Sequence, residues 1–196
     1  PETGDLVKVF VDSGAFSEVS FPGGVPTVIQ PIAPAEWDKR LGLYERLADV
    51  LGDQLVVVAP DQVGFQNETL RRLRTYAGRM QAIAATGAQV MVPLQGGRIR
   101  LAEFETRARE ALGIEAVIPA LPMKKGATSI PEIMAYARDA QPERLHLLGM
   151  GEKNRRVFDI ERLVRRLSPD TVISLDSSLV RANVGRGGTK KKTKKK

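Results

Sequence analysis

Four polar residues stand where strand-like runs of the chain stop: Asp12, Asp61, Gln95 and Asp176. The run Val7-Lys8-Val9-Phe10-Val11 breaks at Asp12-Ser13-Gly14, and Gln54 to Ala59 breaks at Pro60-Asp61. Ala88 to Leu94 leads into Gln95-Gly96-Gly97, and Thr171 to Leu175 leads into Asp176. In α/β folds the carboxyl ends of the strands form the rim where ligands sit. Two carboxylates on one rim can work on a glycosidic bond, one as nucleophile and one as general acid/base. A carboxylate beside a carboxamide can read a purine edge, because the first accepts from ring N–H groups and the second donates to a carbonyl. The same residues have other uses. An Asp at a strand end can cap a helix or order a loop, Gln95 can order the Gly-Gly turn, and three carboxylates can hold Mg²⁺.

The segments between these residues must place them. Apolar residues recur at helical spacing from Ala35 to Leu51, with Trp37, Leu41, Tyr44, Leu47, Ala48 and Leu51 on one face. A second helix is expected from an N-cap at Asn67 to Gly87, and a third over Leu101 to Leu112. Ser129-x-x-Glu132 reads as a capping box opening a fourth helix that runs to Asp139, and a fifth covers Asn154 to Leu167. Strands are expected at Leu6 to Val11, Gln54 to Ala59, Ala88 to Leu94, Ile114 to Pro119, Arg144 to Leu148 and Thr171 to Leu175. The fourth of these ends at Ala120-Leu121. Residues 12–34, rich in Gly and Pro, read as a long loop, functional or mobile.

Six strands alternating with five helices imply a parallel sheet with right-handed crossovers. The chain has no Gly-x-Gly-x-x-Gly after a strand and no Gly-Lys-Ser/Thr, so dinucleotide and P-loop folds are poor fits. Functional groups drawn from several strand ends favour a TIM-type (β/α) barrel over an open doubly wound sheet. Six βα units make a shortened or incomplete barrel, or one closed by a second copy or a partner protein.

With 196 residues, one domain over 1–188 is expected, followed by a disordered poly-Lys tail at 189–196. The net charge is +7, and Lys190, Lys191, Lys192, Lys194, Lys195 and Lys196 supply six of it, so the remainder carries 7 − 6 = +1. Such an arm suits a polyanion or serves only as a solubilising extension. Cys 0 excludes disulfides and thiolate metal sites and suits the cytoplasm. No apolar run approaches a membrane span, and no signal peptide is visible. His146, inside a strand, reads as a core or helix-facing residue.

The motifs, taken in order, resemble the tRNA-guanine transglycosylase superfamily, and most the branch that places 7-deazaguanines in phage and bacterial DNA. Asp12-Ser13-Gly14-Ala15-Phe16 resembles the family's Asp-Ser-Gly-Gly-Phe/Tyr, and Val92-Pro93-Leu94-Gln95-Gly96-Gly97 its Val-Gln-Gly-Gly segment. Leu147-Leu148-Gly149-Met150-Gly151 is similar to Leu-Met-Gly-Val-Gly, and Leu175-Asp176-Ser177-Ser178-Leu179 to Phe-Asp-Cys-Val-Leu. Ala15 and Ser17 replace the usual Gly and Gln, and Arg181 lies one residue closer to the aspartate.

The resemblance implies base exchange: replacement of guanine by a 7-deazaguanine through a covalent glycosyl-aspartate. Asp176 would be the nucleophile and Asp12 the general acid/base. Asp61, Gln95, Gly96, Phe16 and the backbone of Ala120 and Leu121 would hold the base. No metal or other cofactor is expected, because the zinc motif of the tRNA-acting relatives is missing. DNA is therefore the expected polymer ahead of tRNA, and the location is a bacterial or host cytoplasm. Lys124, Lys125, Lys153, Arg155, Arg181 and Arg186, just past strand ends, are the expected phosphate contacts. A non-catalytic nucleic-acid-binding subunit of the same fold is the alternative.

Overall fold

The computed structural model describes residues 8–124, 126–149 and 155–175, without the side chains of 155–157. Six strands form one parallel sheet. They are β1 (Val9–Val11), β4 (Leu55–Val58), β5 (Gln89–Pro93), β6 (Val117–Pro122), β7 (Arg144–Leu148) and β8 (Val172–Leu175), adjacent in that order. Among the described residues the strand order never reverses, so they show no switch point of the doubly wound kind. Between β1 and β4 the chain makes a small antiparallel hairpin of β2 (Val19–Ser20) and β3 (Thr27–Val28). The helices are α1 (Pro34–Leu51), α2 (Gln66–Thr75), α3 (Ala77–Ala85), α4 (Leu101–Leu112), α5 (Ile130–Ala140) and α6 (Arg155–Leu167).

Alternation along the strands sorts the core into two faces. Leu55, Val57, Val90, Val92, Leu121, Leu145 and Leu147 point outward and pack against Leu41, Leu73, Met80, Phe104, Ile133, Ile160 and Val164 of the helices. Val56, Val58, Met91, Ile118 and Ala120 point the other way and form a smaller inner cluster. The helices thus cover the outer face, and the inner face is concave.

The register gives the curl a measure. Phe10 is level with Val56, and Val56 with Gln89. Val90 pairs with Val117 and Ala120 with His146, so the same level reaches Ala116 and then Pro142 on β7. Yet the Phe10 ring stacks on His146, centroids 5.4 Å apart and 21° from parallel. The meeting point is 146 − 142 = 4 residues further along, over four strand steps. Arg144 donates to the Gln89 carboxamide at 3.0 Å, a stagger of two residues over two steps. Lys8, Gln89 and Arg144 therefore share one tier inside the curl, Phe10, Met91 and His146 the next, and Asp12, Pro93 and Leu148 the third. The sheet is a half-barrel with a stagger of one residue per strand.

Several local expectations shift. The fourth expected strand occupies Val117–Pro122 instead of Ile114 to Pro119, so Ala120 and Leu121 lie inside it and the rim falls at Pro122-Met123-Lys124. Pro119 and Pro122 both lie within the strand, where the flanking ladders from β5 and β7 hold them. The second expected helix is two, α2 and α3, meeting at Tyr76 (φ −106°, ψ 11°). Just before the bend, the Thr75 hydroxyl donates back to the Arg71 carbonyl, a bond that bends helices. Asn67 caps nothing; α2 begins at Gln66 with no side-chain cap. The Ser129–Glu132 capping box forms as expected.

Candidate active site at the carboxyl rim

The residues that follow β1, β4 and β5 converge. Asp61 is 2% exposed, and both its carboxylate oxygens accept hydrogen bonds: Oδ1 from Ser13 Oγ at 2.9 Å, Oδ2 from Gln95 Nε2 at 3.0 Å. Gln95 is fully buried, and its orientation is set at the other end, where Oε1 accepts from the Gly64 amide at 2.7 Å. Its Nε2 also reaches the Pro93 carbonyl at 3.3 Å. Neither donor to Asp61 is charged. Burial drives the Asp61 pKa up to about 7; the Ser13 hydrogen bond opposes this, the nearby Asp12 charge adds to it, and Arg72 opposes it.

Helix α1 holds the turn after β1. Arg40 donates from Nη1 to the Ser13 carbonyl, and Tyr44, one helical turn on, places its hydroxyl 3.1 Å from the Asp12 carbonyl and 3.2 Å from that of Val58. Burial, then the charges of Asp12 and Asp61, push the Tyr44 phenol well above its usual range. Beneath lies an ion pair. Glu18 and Arg72, both buried, meet at 2.6 and 2.9 Å, and Arg72 also donates to the Asp61 carbonyl at 2.6 Å. Glu18 further accepts from the Ile32 amide, and so ties down the whole 18–32 segment.

A cavity of about 800 Å³ fills the concave side. Its walls are Phe10, Val56, Val58, Met91, Ile118 and Leu148; Asp12, Ser13, Asp61, Phe16 and Lys124 stand at its upper lip. Lys8 and Arg144 stand at its lower end, and His146, Ser174 and Leu175 also line it. An apolar cleft of this size with a few convergent polar groups is what a small-molecule site looks like. The lip is bridged: the Lys124 ammonium lies 5.4 Å from the centroid of the Phe16 ring, and Phe16 in turn stacks on Phe21 at 6.0 Å. Ala15, Val19, Val63 and Ala127 form a small core that joins three rim loops. Gly126 permits their closest approach, since a Cβ there would lie 1.7 Å from the Gly24 carbonyl oxygen.

Of the residues expected at the site, Asp12, Asp61, Phe16 and Lys124 line one cavity. Gln95 sits behind Asp61, outside the lining. Gly96 is packed where a Cβ would meet the Ala127 carbonyl at 2.5 Å. The Leu121 side chain points to the helices, and the Ala120 carbonyl accepts from Leu94 within the sheet. Asp176, Lys125, Lys153, Arg181 and Arg186 lie outside the described residues, as does the side chain of Arg155. Among the described residues no group of three His, Cys, Asp or Glu gathers as metal ligands do.

His146 is buried, as its reading as a core residue has it, but it does not face the helices. It faces the cavity, 5% exposed, with Nδ1 2.8 Å from Ser174 Oγ. Strand alternation carried the signal: Leu145 and Leu147 face the helices, so His146 between them faces inward, as does Ser174 between Ile173 and Leu175. Ser13, Glu18 and Arg72 left no such trace, because long-range pairing of buried polar groups has no period in sequence. No helix among the described residues is long and apolar enough to cross a membrane. Compared with models of protein families, with curated proteins and with solved structures, the chain matches none.

Proposed function

We propose that the chain is a base-exchange transglycosylase, replacing guanine in nucleic acid, DNA ahead of tRNA, with a 7-deazaguanine. The observation that carries this reading is the shared cavity: Asp12 and Asp61 stand at its lip, and the wall includes Ser174 and Leu175, the residues immediately before Asp176 in sequence. Asp176 attacks C1′ of a base swung out of its stack, and guanine leaves. A carboxylic acid at the rim exchanges protons with the base, Asp12 in the assignment the resemblance implies. The apolar walls suit a planar ring, and Lys124 at the lip suits a phosphate. The stagger of one residue per strand equals the shear of an eight-stranded TIM barrel, which supports reading the half-barrel as part of that fold.

Incubation of an oligonucleotide with labelled guanine tests the reading. Wild type is expected to place label in the polymer, and Asp176→Ala to abolish the incorporation. Equal inertness of the two proteins on DNA and on tRNA counts against base exchange. Tight nucleic-acid binding in that case, unaffected by Asp12→Asn, moves the chain to the non-catalytic alternative.

A further inference from the structure

We infer that Asp61, not Asp12, carries the proton in this site, and that Gln95 and Ser13 are the residues that position it. The inference rests on the base-exchange reading above and changes its division of labour.

Three features lead to it. First, Asp61 is buried at the cavity lip with no cation against its carboxylate; its two donors, Ser13 and Gln95, are neutral. The one buried arginine nearby, Arg72, spends its guanidinium on Glu18, Glu68 and the Asp61 main-chain carbonyl instead. Second, the Gln95 amide cannot easily turn round, because Gly64 N–H holds its Oε1. Its NH₂ therefore always faces Asp61 Oδ2. Ser13 is the only partner that can rotate, and its Oγ already accepts from the Ala15 amide at 3.2 Å. Asp61 lines the cavity, so a proton on a lone pair left free by these bonds is within reach of a ligand there. Third, Asp12 is exposed to solvent, whereas Asp61 is buried. The charged and titratable groups around Asp61 are Asp12 after β1, Glu18 of the following turn, Arg40 and Tyr44 of α1, and Arg72 of α2, with Lys124 and His146 on the same cavity. Burial dominates them and lifts the Asp61 pKa to about 7, near the value that serves proton transfer at neutral pH.

The step balances. As the C1′–N bond to guanine breaks, its electron pair stays on the base, the proton of Asp61 passes to a ring nitrogen, and neutral guanine leaves beside an Asp61 carboxylate. The incoming deazapurine gives its ring N–H proton to Asp61. Its nitrogen pair forms the new bond to C1′, and the glycosyl carboxylate is released.

The test reads the proton directly, with no need for turnover. The full chain carrying ¹³C-carboxyl aspartate is titrated by NMR, with Asp61→Asn assigning the Asp61 signal. A midpoint near neutral pH is expected, moved upward in Gln95→Leu because a donor to the carboxylate is lost. Ser13→Ala, a milder change, is expected to move it the same way and covers the case in which Gln95→Leu does not fold. An Asp61 midpoint near 4, the ordinary aspartate range, overturns the inference even if labelled guanine enters the polymer. A neutral midpoint that neither variant moves overturns the positioning roles. With active protein, the neutral limb of the pH profile for incorporation is expected to follow the NMR midpoint in Ser13→Ala; a limb that stays put overturns the assignment. Failure of all incorporation beside a neutral midpoint overturns base exchange and leaves Asp61 the titrating acid of the cavity.

Discussion

Asp61 has a thermodynamic cost as well as a chemical use. Its folded pKa is raised from 3.8 to about 7, so the folded state holds its proton where the unfolded chain has lost it. The sign follows. The Asp61 contribution is most favourable below pH 4, falls as pH rises, and is fully lost above 7. With 1.36 kcal/mol per unit, the swing is on the order of 4 kcal/mol at most. Asp61→Asn cannot ionise, and its carboxamide can accept from Gln95 while donating to Ser13. The variant is therefore expected to gain stability over wild type as pH goes from 4 to 8, by a few kcal/mol. Urea unfolding at the two pH values checks this; a stability difference that does not change with pH sinks the claim. The identities of Asp12 and Asp61 were legible in the sequence because a carboxylate after an apolar run is conspicuous. That Gln95 faces Asp61 was not, since a Gln at a strand end looks the same whether it meets a ligand or a neighbour.

At the scale of elements, the rim loops are stitched rather than loose. Residues 12–34 read as one long loop, yet Glu18 binds Arg72 and the Ile32 amide, the hairpin of β2 and β3 forms, and Ala15 and Val19 pack with Ala127 across the rim. Gly126 is the stitch that tolerates no side chain: φ is +91°, and a Cβ would overlap the Gly24 carbonyl. Gly126→Ala is expected to lose about 1–2 kcal/mol from the left-handed backbone alone, and more from parting the loops. Hydrogen exchange should quicken at residues 15–28 while β5, β6 and β7 keep their protection; uniform quickening would refute a local role. Helix limits were well read where a capping box or an apolar face marked them, as at Ser129 and over Ala35 to Leu51. Strand limits were read poorly where proline intervened, because Pro119 and Pro122 signal a break by their chemistry and are kept in β6 by neighbours distant in sequence.

For the whole molecule, the alternation of strands and helices announced a parallel α/β fold, and a strand order without reversal fits the half-barrel. The curl itself was not legible. It depends on Phe10 meeting His146 from strands four steps apart, and no local pattern encodes a stagger. The charge distribution, by contrast, is plain in the sequence: six of the net seven positive charges sit within residues 190–196. Removing residues 190–196 is expected to flatten the salt dependence of single-stranded DNA binding by up to about 4 in the slope of log K against log salt, at roughly 0.7 per lysine lost. Titration by fluorescence anisotropy from 50 to 300 mM salt measures it. An unchanged slope would assign the phosphate contacts elsewhere.

Trp37, the only tryptophan in the chain, is buried between two guanidinium groups, those of Arg40 and Arg72, each 5.4 Å from its ring centre. Arg40 grips the Ser13 carbonyl and Arg72 the Asp61 carbonyl. The indole is thus one contact removed from both sides of the acid at the rim. Its emission is a built-in optical gauge: excited at the long-wavelength edge of the indole absorption band, it should follow ligand entry or proton uptake at the rim with no added dye.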